Sequence, residues 1–176
     1  LVVHPGVEGD RGPAALDRAI QSGLGEWGVT VLQAEAEMDA GPVWASATFP
    51  MRRAKKSSIY RNEVTEAAVQ AVLLAVDRFT AGNFTPRRVP GSAHPPLRQA
   101  EREIDWQAEP TAAILAKLNA ADGFPGVAGE LFGQPCQLFD AWPEATLRGV
   151  PGALLARRET ALCRATIDGA LWLGQV

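Results

Sequence analysis

The sequence predicts an α/β unit followed by a mainly β unit. Three features predict it. Strand-like and helical patterns alternate as far as Gly82, where one long amphipathic run ends. Residues 83–97 then hold Pro86, Pro90, Gly91, Ser92, Pro95 and Pro96 with no periodicity, the mark of a connection. Beyond it, short β-type runs are separated by Gly- and Pro-containing turns, which predicts a small closed barrel. The expected division is 1–84, a linker at 85–98, and 99–176.

Composition narrows the function classes. Hydrophobic residues at 47% and charged residues at 21% fit an ordinary globular chain of 176 residues. A net charge of -3 gives no electrostatic case for nucleic acid or an anionic membrane as the main partner. No apolar run approaches the roughly 20 residues that span a bilayer. Cys136 and Cys163 stand far apart in no CxxC arrangement, so buried or half-buried thiols and a cytoplasmic location are expected. With His4 and His94 as the only histidines, no metal site is expected. Position 1 is not Met and is already strand-like, and no basic segment precedes it. The expectation is an internal piece of a longer polypeptide, with no signal peptide.

In order along the chain, Leu1-Val2-Val3 reads as a short buried strand that delivers His4 into a Pro-Gly loop. Pro13 suits a first helical turn, and residues 14–22 read as a short helix. Its apolar face is Leu16, Ala19 and Ile20; Asp17, Arg18 and Gln21 form the polar one. Gly23 and Gly25 end it. Residues 27–33 and 43–50 read as two β-branched and alternating strands, joined by an acidic turn with Glu35, Glu37 and Asp39. The basic run Arg52-Arg53-Ala54-Lys55-Lys56 reads as a solvated loop before a helix, with Ser57 or Ser58 as N-cap. Its other reading is contact with a phosphate-bearing substrate. Residues 59–81 form the long helix, with Val64, Ala68, Ala71, Val72, Ala75, Val76 and Phe79 as its apolar face. His94 reads as surface decoration in the linker. In the second unit Ile104-Asp105-Trp106 is a short strand or turn, and Pro110 opens a helix to about Ala120. A Gly123-Phe124-Pro125-Gly126 break follows, then strands near 127–132, 136–140, 153–157, 161–167 and 170–173. Asp168-Gly169 marks a hairpin.

His4 and Asp39 are the residues with chemistry in them. Each has an ordinary structural role, a strand-end core histidine and an Asx-turn residue. Together they are the parts of an acid/base centre. A protonated imidazole stabilises a developing oxyanion, and a neighbouring carboxylate raises its proton affinity or relays a nucleophile's proton. Acyl transfer of this kind needs no nucleophilic side chain, and the chain has no GxSxG or CxxC.

These residues sit in a pattern. His4-Pro5, Arg11-Gly12, Ala14-Ala15 and Arg18-Ala19-Ile20 resemble the H-P…R-G…R-A-I signature of formyltransferases that use 10-formyltetrahydrofolate. Gly28-Val29-Thr30-Val31 and Glu37-Met38-Asp39-Ala40-Gly41-Pro42 resemble the same family's G-V-T…D-x-G segment, in which the aspartate is catalytic. Ile104-Asp105-Trp106 and Asp122-Gly123-Phe124-Pro125-Gly126 resemble the barrel domain of methionyl-tRNA formyltransferase. Phe49-Pro50-Met51-Arg52, residues 60–65 and Cys163-Arg164-Ala165-Thr166 resemble a branch of the family that serves hydrogenase maturation. The resemblance implies the C-terminal half of a Rossmann-like catalytic domain over 1–84 and an OB-like barrel over 99–176. It implies His4 and Asp39 as catalytic, and Gly6, Val7, Arg11, Glu37 and Met38 as substrate-binding. It further implies formyl transfer from 10-formyltetrahydrofolate to coenzyme A, with a crotonase-like half of the same polypeptide releasing carbon monoxide for a nickel–iron hydrogenase. The chain alone is expected to be inactive. Val2 departs from the general pattern, which has asparagine there; one oxyanion donor worth a few kcal/mol of barrier is lost. Either the acceptor chemistry differs or another group supplies the donor. A methionyl-tRNA formyltransferase segment and a non-catalytic binding module are the alternatives. From Gln99 on, six basic residues face ten acidic ones, which disfavours tRNA.

Overall fold

The computed structural model describes residues 1–123 and 125–176. Phe124, part of the expected 123–126 break, lies outside the described residues. The chain divides into two units, Leu1–Ala19 with Gly23–Leu97, and Arg98–Val176 with Ile20–Ser22.

Unit 1 is built on a three-stranded sheet in the order β1-β3-β4. Its strands are β1 (Val2–His4), β3 (Glu26–Leu32) and β4 (Val43–Pro50), all antiparallel. Val29, Val31 and Ala45 give the sheet a buried face because β-branched and small side chains pack well on a pleat. Strand β1 is an edge strand. Only its last residue, His4, is buried, while Leu1, Val2 and Val3 are exposed, so the expected buried strand is corrected. Between β1 and β3 lie β2 (Asp10–Arg11) and helix α1 (Ala15–Gln21). Pro13 does not open α1. Ala14 takes a left-handed φ of 66°, and its carbonyl accepts from Arg18 N, so the helix begins one residue later. Asp17, expected on the polar face, is buried and accepts from Lys56 Nζ at 3.0 Å.

After β4 the helical run is continuous from Lys56 to Ala81 but not uniform: α2 (Lys56–Ile59), a π-helical turn (Tyr60–Val64), then α3 (Thr65–Ala81). Neither Ser57 nor Ser58 caps it; Lys55 is the N-cap and no side chain bonds there. Gly82 ends it with φ 67°. The helix lies on the sheet through Val64, Ala67, Ala71 and Ala75. Small side chains let α3 sit close to β3 and β4, and the sheet selects that narrow stripe. Val76 and Phe79, expected in the core face, point outward, Phe79 at 71% exposure with its ring edge-on to Trp44 at 5.9 Å.

Residues 85–98, expected as a linker, hold on to unit 1 as far as Leu97. Arg87 exchanges backbone hydrogen bonds with Val43. Strand β5 (Ser92–Ala93) pairs parallel with β2, placing Asp10 beside Ser92 and Arg11 beside Ala93.

Unit 2 carries α4 (Thr111–Ala120) and an antiparallel sheet ordered β6-β7-β10-β9-β8. The strands are β6 (Val127–Leu131), β7 (Gln134–Glu144), β8 (Leu154–Arg158), β9 (Ala161–Ala165) and β10 (Ala170–Gln175). Among the described residues no ladder joins β6 to β8, so the sheet is open where a closed barrel was expected. Helix α4 does the burying instead: Ile114 and Leu118 pack with Val127, Leu138, Leu171 and Leu173. Ile104-Asp105-Trp106 forms a turn, with Asp105 accepting from Gln107 N at 2.9 Å. The β9–β10 hairpin reaches α4, where Asp168 Oδ1 accepts from Thr111 N at 2.7 Å and caps the helix. Thr111 N–H first, then its hydroxyl, hold the Asp168 carboxyl below the usual range. Glu144 is lowered further, to about 2, by Thr146 N–H and then by the Trp172 indole N–H and Leu147 N–H. Both cysteines are free, Cys136 half-buried and Cys163 buried, and burial pushes both thiols up.

Candidate active site

His4 ends β1 opposite Thr30 of β3, and the chain turns out of the sheet at Pro5-Gly6. Two side chains pin that turn: Trp27 Nε1 donates to Pro5 O at 3.0 Å, and Thr30 Oγ1 to Gly6 O at 2.8 Å. Gly6 is required by space, since a Cβ there would collide with the His4 ring at Nε2 and stand 3.0 Å from Asp10 Oδ1. The imidazole is 5% exposed.

The ribbon between β3 and β4 brings Asp39 to this ring. Asp39 Oδ2 lies 3.3 Å from His4 Nδ1 and accepts from Gly12 N at 2.9 Å. Asp39 has φ 55°, in the left-handed region that Asp tolerates better than most residues. The structure thus places His4 and Asp39 side by side.

The other predicted residues lie around the pair. Arg11 reaches Glu37 Oε1 at 3.4 Å and Val89 O at 3.2 Å. Glu37 and Met38 are exposed, and with Val2, Leu32 and Asp39 they line a groove of about 300 Å³. Val7 lies half-buried next to Gly28. The basic run is largely engaged within the fold: Arg52 bonds Glu63 and Ser58, and Lys56 bonds Asp17.

Two residues were missed. Asp10 Oδ1 lies 3.1 Å from His4 Nε2, on the opposite side of the ring from Asp39. His94 is no free linker residue: its backbone N donates to Arg11 O at 2.9 Å, and its Nε2 stands 3.9 Å from Asp10 Oδ2. A signal for Asp10 was present, a carboxylate six residues past the histidine in a Gly-rich loop able to double back. The β2–β5 pairing that carries His94 left no mark in hydrophobic period.

A neutral imidazole has one N–H and one lone pair. The Asp10 contact is a hydrogen bond, and Asp39 stands within ion-pair distance at the other nitrogen. A protonated ring in this position would stabilise an oxyanion.

Residues 96–176 match the family described as the formyl transferase C-terminal domain. It is 54% identical to the hydrogenase maturation factor HoxX of Bradyrhizobium diazoefficiens across its whole length, while spanning 32% of that protein. It is similar to HypX of Aquifex aeolicus, a structure in complex with tetrahydrofolic acid, with a TM-score of 0.90 and 48% identity over 97% of this chain and 30% of that one. It is also 30% identical to methionyl-tRNA formyltransferase of Dechloromonas aromatica, over 92% of this chain and 52% of that protein. The chain thus spans about a third of the HoxX and HypX chains and about half of the other.

Proposed function

We propose that this chain is the formyl-transferring segment of a longer polypeptide, moving the formyl group of 10-formyltetrahydrofolate to coenzyme A. The carrying observation is the His4 Nδ1–Asp39 Oδ2 contact of 3.3 Å, with Asp39 tied to the backbone of the neighbouring loop through Gly12 N–H. Residues 1–84 form the C-terminal half of the catalytic domain in this reading, and 99–176 the C-terminal domain. Residues 85–98 return across the catalytic half before joining it. The groove of about 300 Å³ beside Asp39, lined by Glu37 and Met38, is the place where part of a folate would lie in this reading.

The chemistry balances simply. The thiol sulfur attacks the formyl carbon, a C–S bond forms, and the bond from that carbon to N10 breaks. The thiol proton ends on N10 of the departing tetrahydrofolate. His4 moves that proton and stabilises the tetrahedral oxyanion; Asp39 fixes the ring's orientation. Similarity to a hydrogenase maturation factor supports the next step in a crotonase-like half outside this chain. There formyl-CoA divides into carbon monoxide and coenzyme A, the former a ligand for a nickel–iron centre.

The test uses the full-length polypeptide. His4→Ala and Asp39→Asn should each lower formyl-CoA formation from 10-formyltetrahydrofolate by about 10²–10⁴-fold, the usual contribution of a positioned acid/base group. Turnover at the unsubstituted rate in either variant overturns the assignment.

A further inference from the structure

We propose that Asp10 is a second positioning residue for His4, clamping the imidazole at Nε2 while Asp39 clamps it at Nδ1. This rests on His4 being the acid/base group of the proposed function. The distances are 3.1 Å and 3.3 Å, and both carboxylates are nine-tenths buried. Burial strengthens such contacts by excluding water.

The two clamps are built differently. Asp39 has a second anchor in Gly12 N–H. Asp10 lies on β2, whose backbone is fixed by a turn to Val7 O and by pairing with β5. Its carboxylate faces two histidines, His4 at one oxygen and His94, 40% exposed, at the other. The remaining charge nearby, Arg11, is directed to Glu37 and Val89 O. The ring is thus held at Nδ1 by the ribbon and at Nε2 by a strand that pairs with residues 92–93. Gly6 is part of the same device: its missing side chain leaves the space in which Nε2 and Asp10 meet. A ring held at both nitrogens in the resting site cannot swing about χ2, so its plane is fixed before Nε2 exchanges Asp10 for the reacting group.

Two measurements test this. In the full-length polypeptide, ¹⁵N-histidine labelling resolves the His4 imidazole by comparison with the spectrum of His4→Gln. Asp10→Asn should shift the His4 ring resonances, Nε2 most, and Asp39→Asn should shift them with Nδ1 most. An unmoved Nε2 resonance overturns the clamp. In the full-length polypeptide, Asp10→Ala should lower kcat for formyl transfer by about 10²-fold, the cost of a misplaced catalytic group, with KM for the folate donor unchanged. Asp10→Asn, whose amide oxygen still accepts from Nε2, should recover part of that loss. A raised KM with unaltered kcat, or Asn no better than Ala, overturns the positioning role. Should His4→Ala remain active while the Asp10→Asn shift is observed, the proposed function fails and the clamp stands.

Discussion

The two units bury their helices in opposite ways. In unit 2, α4 turns Ile114 and Leu118 inward against Leu138, Leu171 and Leu173. In unit 1, α3 turns Ala67, Ala71 and Ala75 inward and leaves Val69, Leu73, Val76 and Phe79 exposed. Burying a large aliphatic side chain contributes about 1.5–3 kcal/mol, and a single methyl a fraction of that. Unit 2 thus draws its stability from a core of its own. In unit 1, α3 gains close approach of helix to sheet and leaves that helix's larger apolar groups exposed. Exposed apolar groups gathered on one helix are the sort of surface that contacts other protein.

The sharpest way to test that contrast is Ile114→Ala, which should cost about 2–5 kcal/mol and lower the urea midpoint of unit 2. Selective labels on Trp106, Trp142 and Trp172 would follow it, while labels on Trp27 and Trp44 report unit 1. Ala71→Leu should cost about 1–3 kcal/mol through overpacking, read on the unit 1 labels. A smaller loss would mean that α3 can lift from the sheet without penalty. Asp168→Asn comes next, at about 1 kcal/mol for a weakened helix cap. The sign with pH follows from the lowered carboxyls of Asp168 and Glu144. Their stabilisation is complete above the ordinary carboxylate range and is lost as pH falls through their folded values, about 2 for Glu144. Urea titrations from pH 6 to pH 2 should show unit 2 weakening over that window, less steeply in Asp168→Asn. Phe79→Glu should shift stability least, by about 0.5 kcal/mol or less, since the ring is mostly in water. A large loss of stability would show that the Trp44 contact matters more than its exposure suggests.

The same contrast explains what the sequence disclosed. Strand β4 was legible to its boundaries because alternation over residues 43–50 is a local signal. So were the α4 core residues Ile114 and Leu118, where large side chains coincide with the buried face. The face of α3 was misjudged at Val76 and Phe79, because hydrophobicity alone ranks them above alanine, and close helix–sheet approach reverses that rank. The closed barrel was over-read: five short strands look alike whether they close or are covered by a helix. In the site, the His4 and Asp39 pair came from residue types and their family pattern. Asp10 and His94 depend on a two-residue parallel pairing, too short to leave a periodic trace.

That small pairing has a consequence in time. Arg11 reaches across 78 residues to Val89, and Asp10 finds its neighbour strand just beyond. A contact of such separation closes late, because the loop between must first be ordered. During synthesis the His4 loop therefore leaves the ribosome long before the segment that braces it, and stays slack until residue 94 has emerged. The His4 loop is among the last parts of its unit to become set, and a nascent chain halted at Gly82 would carry His4, Asp10 and Asp39 without the strand that pairs with β2.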